Sequence, residues 1–279
     1  MTSITCQPAR NALTGKENTV PERILITGAA GGIGTLMRPR LRRAGRTLRL
    51  LDVVPPEPAA PDEDVEVVEG SVTDPDAMLR ACRDVDAVLH LGGHSRETGW
   101  AETLSVNIDG TRTVLEAARL AGVPRVILAS SNHVVGFRPA AEAPAADSSP
   151  RPDTYYGVSK AAMEALGSLY HSRFGMDVLC VRIGSCFEKV HDERGLGLWL
   201  SPDDAARLFE ACLNHPSPGY RVLWGVSDNT RRPVPLTEAA ELGYVSRDDS
   251  EIFAAEVTPD SDHPLLGGPF TTTPLGEPN

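Results

Sequence analysis

Ile24-Leu-Ile-Thr-Gly-Ala-Ala-Gly-Gly-Ile-Gly34 is the stretch from which the fold is read. An apolar strand runs straight into a glycine loop, and the loop opens a helix. Gly28 permits the tight turn, Gly31 lets backbone approach a pyrophosphate, and Gly34 lets the helix pack on the strand. Together with Gly32 and Ile33 they form a cradle where phosphate meets the N–H groups and the positive dipole end of a helix. Taken alone, a glycine-rich turn that binds nothing reads the same way. The next strand separates the two readings. Thr47–Leu51 leads to Asp52, 18 residues after Gly34, where an acid accepts hydrogen bonds from an adenosine ribose. A carboxylate there also repels the extra phosphate of NADP, so NAD is the expected cofactor.

Working outward, short apolar runs alternate with helical stretches. The expected strands are Ile24–Thr27, Thr47–Leu51, Val65–Val68, Asp86–Leu91, Arg125–Ala129, Asp177–Ile183 and Tyr220–Trp224. The expected helices are Thr35–Ala44, Pro75–Cys82, Ala101–Ala121, Tyr156–Phe174 and Pro202–Leu213. Continuous apolar strands separated by helices predict an α/β fold, a Rossmann doubly wound parallel sheet covered on both faces. Pro39 falls inside the first helix and should kink it or end it early. Ser201-Pro-Asp-Asp204 has a capping hydroxyl, proline at the first position and acids in the first turn, a strong helix start. The expected organisation is a flexible tail over 1–21, an NAD-binding domain over 22–184, and a small C-terminal substrate-binding lobe over 185–258 with the last strand interleaved. Pro259–Asn279 reads as a poorly ordered tail.

The composition, 41% hydrophobic and 23% charged over 279 residues, is that of a globular chain with room for one large α/β domain and a small lobe. No apolar run reaches the roughly 20 residues of a membrane span, and the N-terminus lacks the apolar core of a signal peptide. Cys6, Cys82, Cys180, Cys186 and Cys212 are odd in number and include no C-x-x-C. That spacing suits reduced thiols in a cytoplasm rather than disulfides or a metal site. The net charge of −11 argues against a nucleic-acid partner. It also means that an anionic ligand needs a particular cation or helix end to receive it.

Tyr156 and Lys160 stand four apart at the head of a helical stretch, on one face. A free tyrosine, with a pKa near 10, is a poor base at neutral pH. A neighbouring ammonium is expected to lower that value, so that Tyr156 takes the proton of an alcohol as hydride leaves. Tyr-x-x-x-Lys is a common accident, but the strand Arg125–Ala129 ends beside Ser131, 25 residues before Tyr156. Ligands of such sheets bind beyond the carboxyl ends of the strands, where Ser131 would orient the reacting hydroxyl. Asn107 is expected to hold a water or backbone group that supports Lys160, or else to be an exposed helix residue.

The glycine loop, Asp52, Ser131 and the Tyr156–Lys160 pair together resemble the extended short-chain dehydrogenases, a class that includes nucleotide-sugar epimerases. His90-Leu-Gly-Gly-His-Ser95, Ala129-Ser-Ser-Asn-His-Val-Val-Gly136, Tyr156-Gly-Val-Ser-Lys160, Arg182-Ile-Gly-Ser-Cys186 and Trp199-Leu-Ser-Pro-Asp-Asp204 resemble more closely the bacterial uronate dehydrogenases. The likeness spans about Arg23 to Asp228 and reaches even Arg38-Pro39. It implies NAD-dependent oxidation of the anomeric carbon of galacturonate or glucuronate to an aldarolactone. It implies contacts to the sugar from Ser95, Ser131, Asn132, His133, Tyr156, Ser185 and Arg194. It places Ser71, Leu91, Gly92 and Ile183 along the cofactor beside Asn107, Tyr156 and Lys160. No metal is implied, and a homo-oligomer is expected. The chemistry agrees: a polyol ring is read by short donors and acceptors, and a carboxylate by a guanidinium fork.

Three departures stand out. Ser71 occupies a position where the resemblance implies an acid near the adenine, the wording around Arg194 differs, and the match fades after Asp228. Two other readings stay open at this point. One is an NAD-dependent nucleotide-sugar epimerase or dehydratase, which needs a larger C-terminal lobe. The other is a non-catalytic NAD-binding regulator, which has no need of Tyr156 or Lys160.

Overall fold

The structure, a computed structural model, describes residues 22–257 and 263–278. The tail over 1–21, with Cys6, lies outside the described residues. Seven parallel strands form one sheet: β1 (Arg23–Thr27), β2 (Thr47–Asp52), β3 (Val65–Glu69), β4 (Ala87–His90), β5 (Arg125–Ser131), β6 (Asp177–Ile183) and β7 (Tyr220–Gly225). Their order is β3-β2-β1-β4-β5-β6-β7, every neighbour parallel. The order reverses between β1 and β4, which leaves a crevice beyond the carboxyl ends of those strands, where ligands of doubly wound sheets bind.

Alternation along β1 shows how the sheet divides two cores. Ile24 and Ile26 point to one face, where they meet Met37 of the helix α1 (Gly32–Arg40), Leu41 directly after it, and Leu208 and Phe209 of α7 (Pro202–Asn214). Leu25 points to the other, against Met78 of α2 (Pro75–Ala81), Val114 and Leu115 of α4 (Gly110–Leu120), and Met163 of α5 (Tyr155–Phe174). All three β1 side chains are fully buried, so each contributes the roughly 1.5–3 kcal/mol of a buried aliphatic side chain. Among the described residues no helix is long and apolar enough to cross a membrane.

The helices differ from expectation in two informative places. The first starts at Gly32 and stops at Arg40, directly after Pro39, the early ending expected of a helix that contains a proline. The long helix expected over Ala101–Ala121 is not uniform: α3 (Trp100–Glu102) is followed by a π-helical stretch, Thr103–Asp109, before α4 begins. Such widenings gather at functional sites, and this one contains Asn107.

The segment after Pro259, expected as a poorly ordered tail, is packed over its described part. Leu266 is 1% exposed in a third small core with Val134, Leu198, Trp224, Val226 and Val234. Leu266 N–H donates to the Arg138 carbonyl (2.9 Å) and Gly267 N–H to that of Gly136 (2.9 Å). The residues 263–278 thus form a strap across the end of β5, joined there by α6 (Gly195–Leu198). A short α8 (Thr237–Glu241) completes the helices.

Candidate active site

The glycine loop is held open by backbone crowding. Gly28 has φ +68°, and a Cβ there would lie 2.7 Å from Gly92 Cα. Both the left-handed conformation and the close approach require glycine. A Cβ at Gly34 would lie 2.4 Å from the Gly28 carbonyl oxygen, whereas at Gly32 it would meet nothing within 4 Å. Gly31 caps α1 with no side-chain hydrogen bond, and the first turn carries no acid. The helix thus offers its orphan N–H groups outward.

Asp52, at the end of β2, accepts from Ala30 N–H (2.9 Å) and Val54 N–H (3.2 Å), one bond on each oxygen. A carboxylate has about four acceptor positions, so two remain for vicinal ribose hydroxyls. Ser71 lies in the loop that follows β3; its hydroxyl takes Thr73 N–H at 3.1 Å and pairs with Thr73 Oγ1 at 2.8 Å. Leu91 and Gly92 follow β4, and Ile183 ends β6. An open helix start, an acid with spare lone pairs and a cradle that any Cβ would fill fit NAD.

A directed chain of hydrogen bonds supports this cradle from below. Thr111 Oγ1 donates to the Asn107 carbonyl (2.6 Å), so it accepts from His90 Nε2–H (3.2 Å). His90 Nδ1 then accepts from Thr27 Oγ1 (2.8 Å), and Thr27 Oγ1 accepts from Gly92 N–H (3.2 Å). Burial, aided by the nearby Lys160 charge, pulls the His90 pKa down to about 3.

Asn107 holds a backbone segment, one of the two groups expected of it. Its amide donates to the His94 carbonyl (3.1 Å) and accepts from His94 N–H (2.8 Å), fixing the loop that carries Ser95. Its Nδ2 also reaches Ser159 Oγ (3.0 Å), in the turn between Tyr156 and Lys160. Ser95 itself is exposed on that loop.

Tyr156, Lys160 and Ser131 are all buried together at the ends of β5 and α5. Burial pushes the phenol up to about 12 and the Asp153 charge adds to the rise, while the neighbouring Ser131 hydroxyl acts in the opposite sense. The ammonium-driven lowering expected from the sequence is absent here. Lys160 Nζ sits 5.6 Å from the Tyr156 ring centroid and donates to the Ala129 carbonyl at 2.7 Å. Burial draws the lysine itself down to about 8.

The remaining expected residues gather on the strap side. Ser131 accepts from His133 N–H (3.2 Å) and starts a short turn, Asn132–Val135. His133 stacks on Phe270 (centroids 4.1 Å apart) and presents an edge to Tyr156 (5.6 Å). Asn132 Nδ2 donates to the Leu266 carbonyl (2.9 Å), and the same oxygen receives Arg194 Nε (3.1 Å) and Nη2 (2.7 Å). Ser185 N–H bonds the Leu198 carbonyl (3.0 Å) as the chain folds back past Arg194.

Three contributors carry no signal in the glycine loop or the Tyr-x-x-x-Lys pattern. Glu97, 1% exposed, accepts from Tyr156 N–H (2.8 Å) and Tyr155 N–H (3.3 Å), capping α5 from a distant loop. It also accepts from Gly276 N–H (2.9 Å), which ties down the strap. Asp153 and the strap are the other two. Asp153-Thr154 directly ahead of Tyr155, the first residue of α5, is a helix-start pattern, and only that much of it is readable locally.

Comparison with known proteins places this geometry. Residues 24–194 match the NAD dependent epimerase/dehydratase family. A uronate dehydrogenase of Pseudomonas syringae pv. tomato is 43% identical over 91% of this chain and 95% of its own length. An NAD-dependent glucose-6-phosphate dehydrogenase of Haloferax volcanii is 38% identical over 85% of this chain and 97% of its own. The crystal structure of a uronate dehydrogenase from Agrobacterium tumefaciens, a tyrosine-to-alanine mutant complexed with NAD, superposes with a TM-score of 0.86. It is 37% identical and covers 91% of this chain and 98% of that one. The chain belongs to the NAD dependent epimerase/dehydratase family, in its uronate dehydrogenase branch.

Proposed function

We propose that this protein oxidises the anomeric carbon of a cyclic hexuronic acid, galacturonate or glucuronate, to the aldarolactone with NAD. Bound on the glycine loop beside Asp52, NAD supplies the hydride acceptor. Ser131 holds the anomeric hydroxyl, and Tyr156 takes its proton. Lys160, buried and drawn down to about 8, can exchange that proton near neutral pH, and Asn107 keeps the supporting turn in place. Ser95, Asn132, His133 and Ser185 are assigned to the sugar hydroxyls, and Arg194 to the carboxylate.

The observation that carries the reading is the place of Arg194. Its guanidinium is anchored through the Leu266 carbonyl to Asn132, and its charge is felt at His133. A cation so placed, in a chain of net charge −11, suits an anionic sugar. The buried, unpaired thiols of Cys82, Cys180, Cys186 and Cys212 support a reducing, cytoplasmic setting.

The test is NAD reduction measured with galacturonate, glucuronate, galactose, glucose 6-phosphate and a UDP-sugar. Turnover concentrated on the two uronates, with NAD preferred over NADP, is expected. Preference for the UDP-sugar or the sugar phosphate would overturn the assignment.

A further inference from the structure

We propose that Asp153 is a positioning residue of the substrate site, fixing His133 with its Nδ1 proton on the carboxylate and its Nε2 lone pair facing the bound sugar. The proposal rests on the functional reading above and extends it to a residue outside the sugar's reach.

His133 Nδ1 lies 2.7 Å from Asp153 Oδ2, and the aspartate side chain is completely buried. A carboxylate only accepts, so the proton between them belongs to Nδ1. Burial holds His133 below the usual histidine range, against the pull of Asp153. With the Nδ1 proton on Asp153, a neutral ring leaves Nε2 an acceptor. Among the described residues no group bonds Nε2. Stacking on Phe270 and the Tyr156 edge leave the ring little freedom to turn.

The fit around Asp153 is tight and drawn from three separate segments. A Cβ at Gly136, in the turn after His133, would fall 1.9 Å from Oδ2. At Gly267, in the strap, the distance would be 2.0 Å, and at Gly157, in α5, 3.0 Å from Oδ1. Thr154 Oγ1 donates to Oδ1 at 2.9 Å. These contacts lock the carboxylate, and the carboxylate locks the imidazole.

Proton removal by Tyr156 gives no account of this aspartate. Its charge opposes ionisation of the phenol, so it acts against the base it adjoins. Substrate reading does give one. With the opposite tautomer, Nδ1 would face the carboxylate lone pair to lone pair, and Nε2–H would donate where a sugar hydroxyl has to donate. A fixed acceptor selects the hydroxyl that points a proton at it.

Two measurements test the inference. In selectively 15N-histidine-labelled protein, with the His133 signal assigned by its loss in His133→Gln, the wild type should show Nδ1 protonated and Nε2 bare. A proton on Nε2 overturns the proposal without any variant of Asp153 having to fold. Second, Asp153→Asn keeps the volume inside the glycine cradle. It should lower kcat/KM for galacturonate by about 10- to 100-fold, as partners that orient a functional imidazole do, chiefly through KM, with NAD affinity unchanged. In a His133→Gln background the same substitution should change kcat/KM less than twofold. Costs that multiply would mean that Asp153 acts independently of His133. Absence of uronate turnover in the wild type would instead sink the functional reading, and the nitrogen spectrum would still report on the pair.

Discussion

The cofactor end of this site is shaped mainly by backbone, over reaches of 22 to 65 residues, whereas the substrate end adds side-chain reaches of up to 179. Ala30 N–H meets Asp52 across 22 residues, and the glycine crowding is mostly backbone against backbone. On the other side Asn132 reaches Leu266 across 134 residues, Arg194 reaches it across 72, and Gly276 reaches Glu97 across 179. The first end is a backbone shape in which glycines allow strand ends to approach one another. The second is a set of buried polar side chains held by a strap. The family is named for NAD while relatives are named for different sugars, so under the proposed function specificity is expected where the long-range contacts are.

The proposed chemistry lies where the two ends meet, and removing it is the most drastic way to separate them. Tyr156→Phe should lower kcat by about 100- to 10,000-fold, the usual cost of losing a general base. NAD titration by fluorescence should remain as in the wild type. Near-normal turnover would show that the proton leaves by another route, with the Asp153–His133 pair the first to examine.

A crossed pair of variants sharpens the contrast. Arg194→Leu removes a charge-assisted contact worth roughly 1.5–3 kcal/mol, so efficiency on uronates should fall about 10- to 150-fold while NAD affinity holds. Because Arg194 also grips Leu266, proteolysis within the strap should quicken. Gly34→Ala should do the reverse. Its new Cβ would fall 2.4 Å from the Gly28 carbonyl oxygen, and overpacking of this kind costs about 1–3 kcal/mol. The KM for NAD should then rise by roughly 5- to 150-fold, with the uronate KM unchanged at saturating NAD. If either variant moves both constants alike, the two ends are one cooperative unit.

How much of this was legible in the sequence follows the same division. Strand–glycine–helix order, Asp52 and the alternation of strands and helices are periodic or closely spaced, and the sheet carries them where periodicity predicted. Ser131, Tyr156 and Lys160 come together as their spacing predicts, because Ser131 ends β5 and the other two lie in the first two turns of α5. The phenol pKa is not legible: spacing shows that Lys160 is near, but not that its ammonium turns to the Ala129 carbonyl while burial raises the phenol. Asp153, Glu97 and the strap were not readable. Their roles come from groups brought together only by the finished fold, and a glycine-, proline- and threonine-rich stretch such as Gly267–Pro274 has the composition of loose chain. Three glycines shaped around one carboxylate leave no periodic trace.

The smallest effect concerns the seam between the two ends. His90 links Thr27 and Gly92, at the cofactor cradle, to Thr111 and the Asn107 carbonyl, beneath the catalytic helix. In the folded chain it stays neutral down to about pH 3, while an unfolded histidine takes up its proton near 6.5. Below 6.5 the unfolded state gains a proton that the native state refuses. The stability tied to this residue is therefore complete above 6.5 and drains as pH falls from there toward 3. Between pH 7 and 5.5 the drain should be about 1.3 kcal/mol, or about 2 to 4 °C in Tm for a chain of this size. His90→Gln should be less stable at pH 7, since Gln cannot serve both threonines, but this one contribution to its pH dependence should vanish. Melting curves of both proteins at the two pH values isolate it, because the lost hydrogen bond cancels in the difference. If the two proteins lose stability in parallel, His90 is not held neutral at the seam, and the hydrogen-bond chain joining the cofactor end to the substrate end does not run in the direction assigned to it.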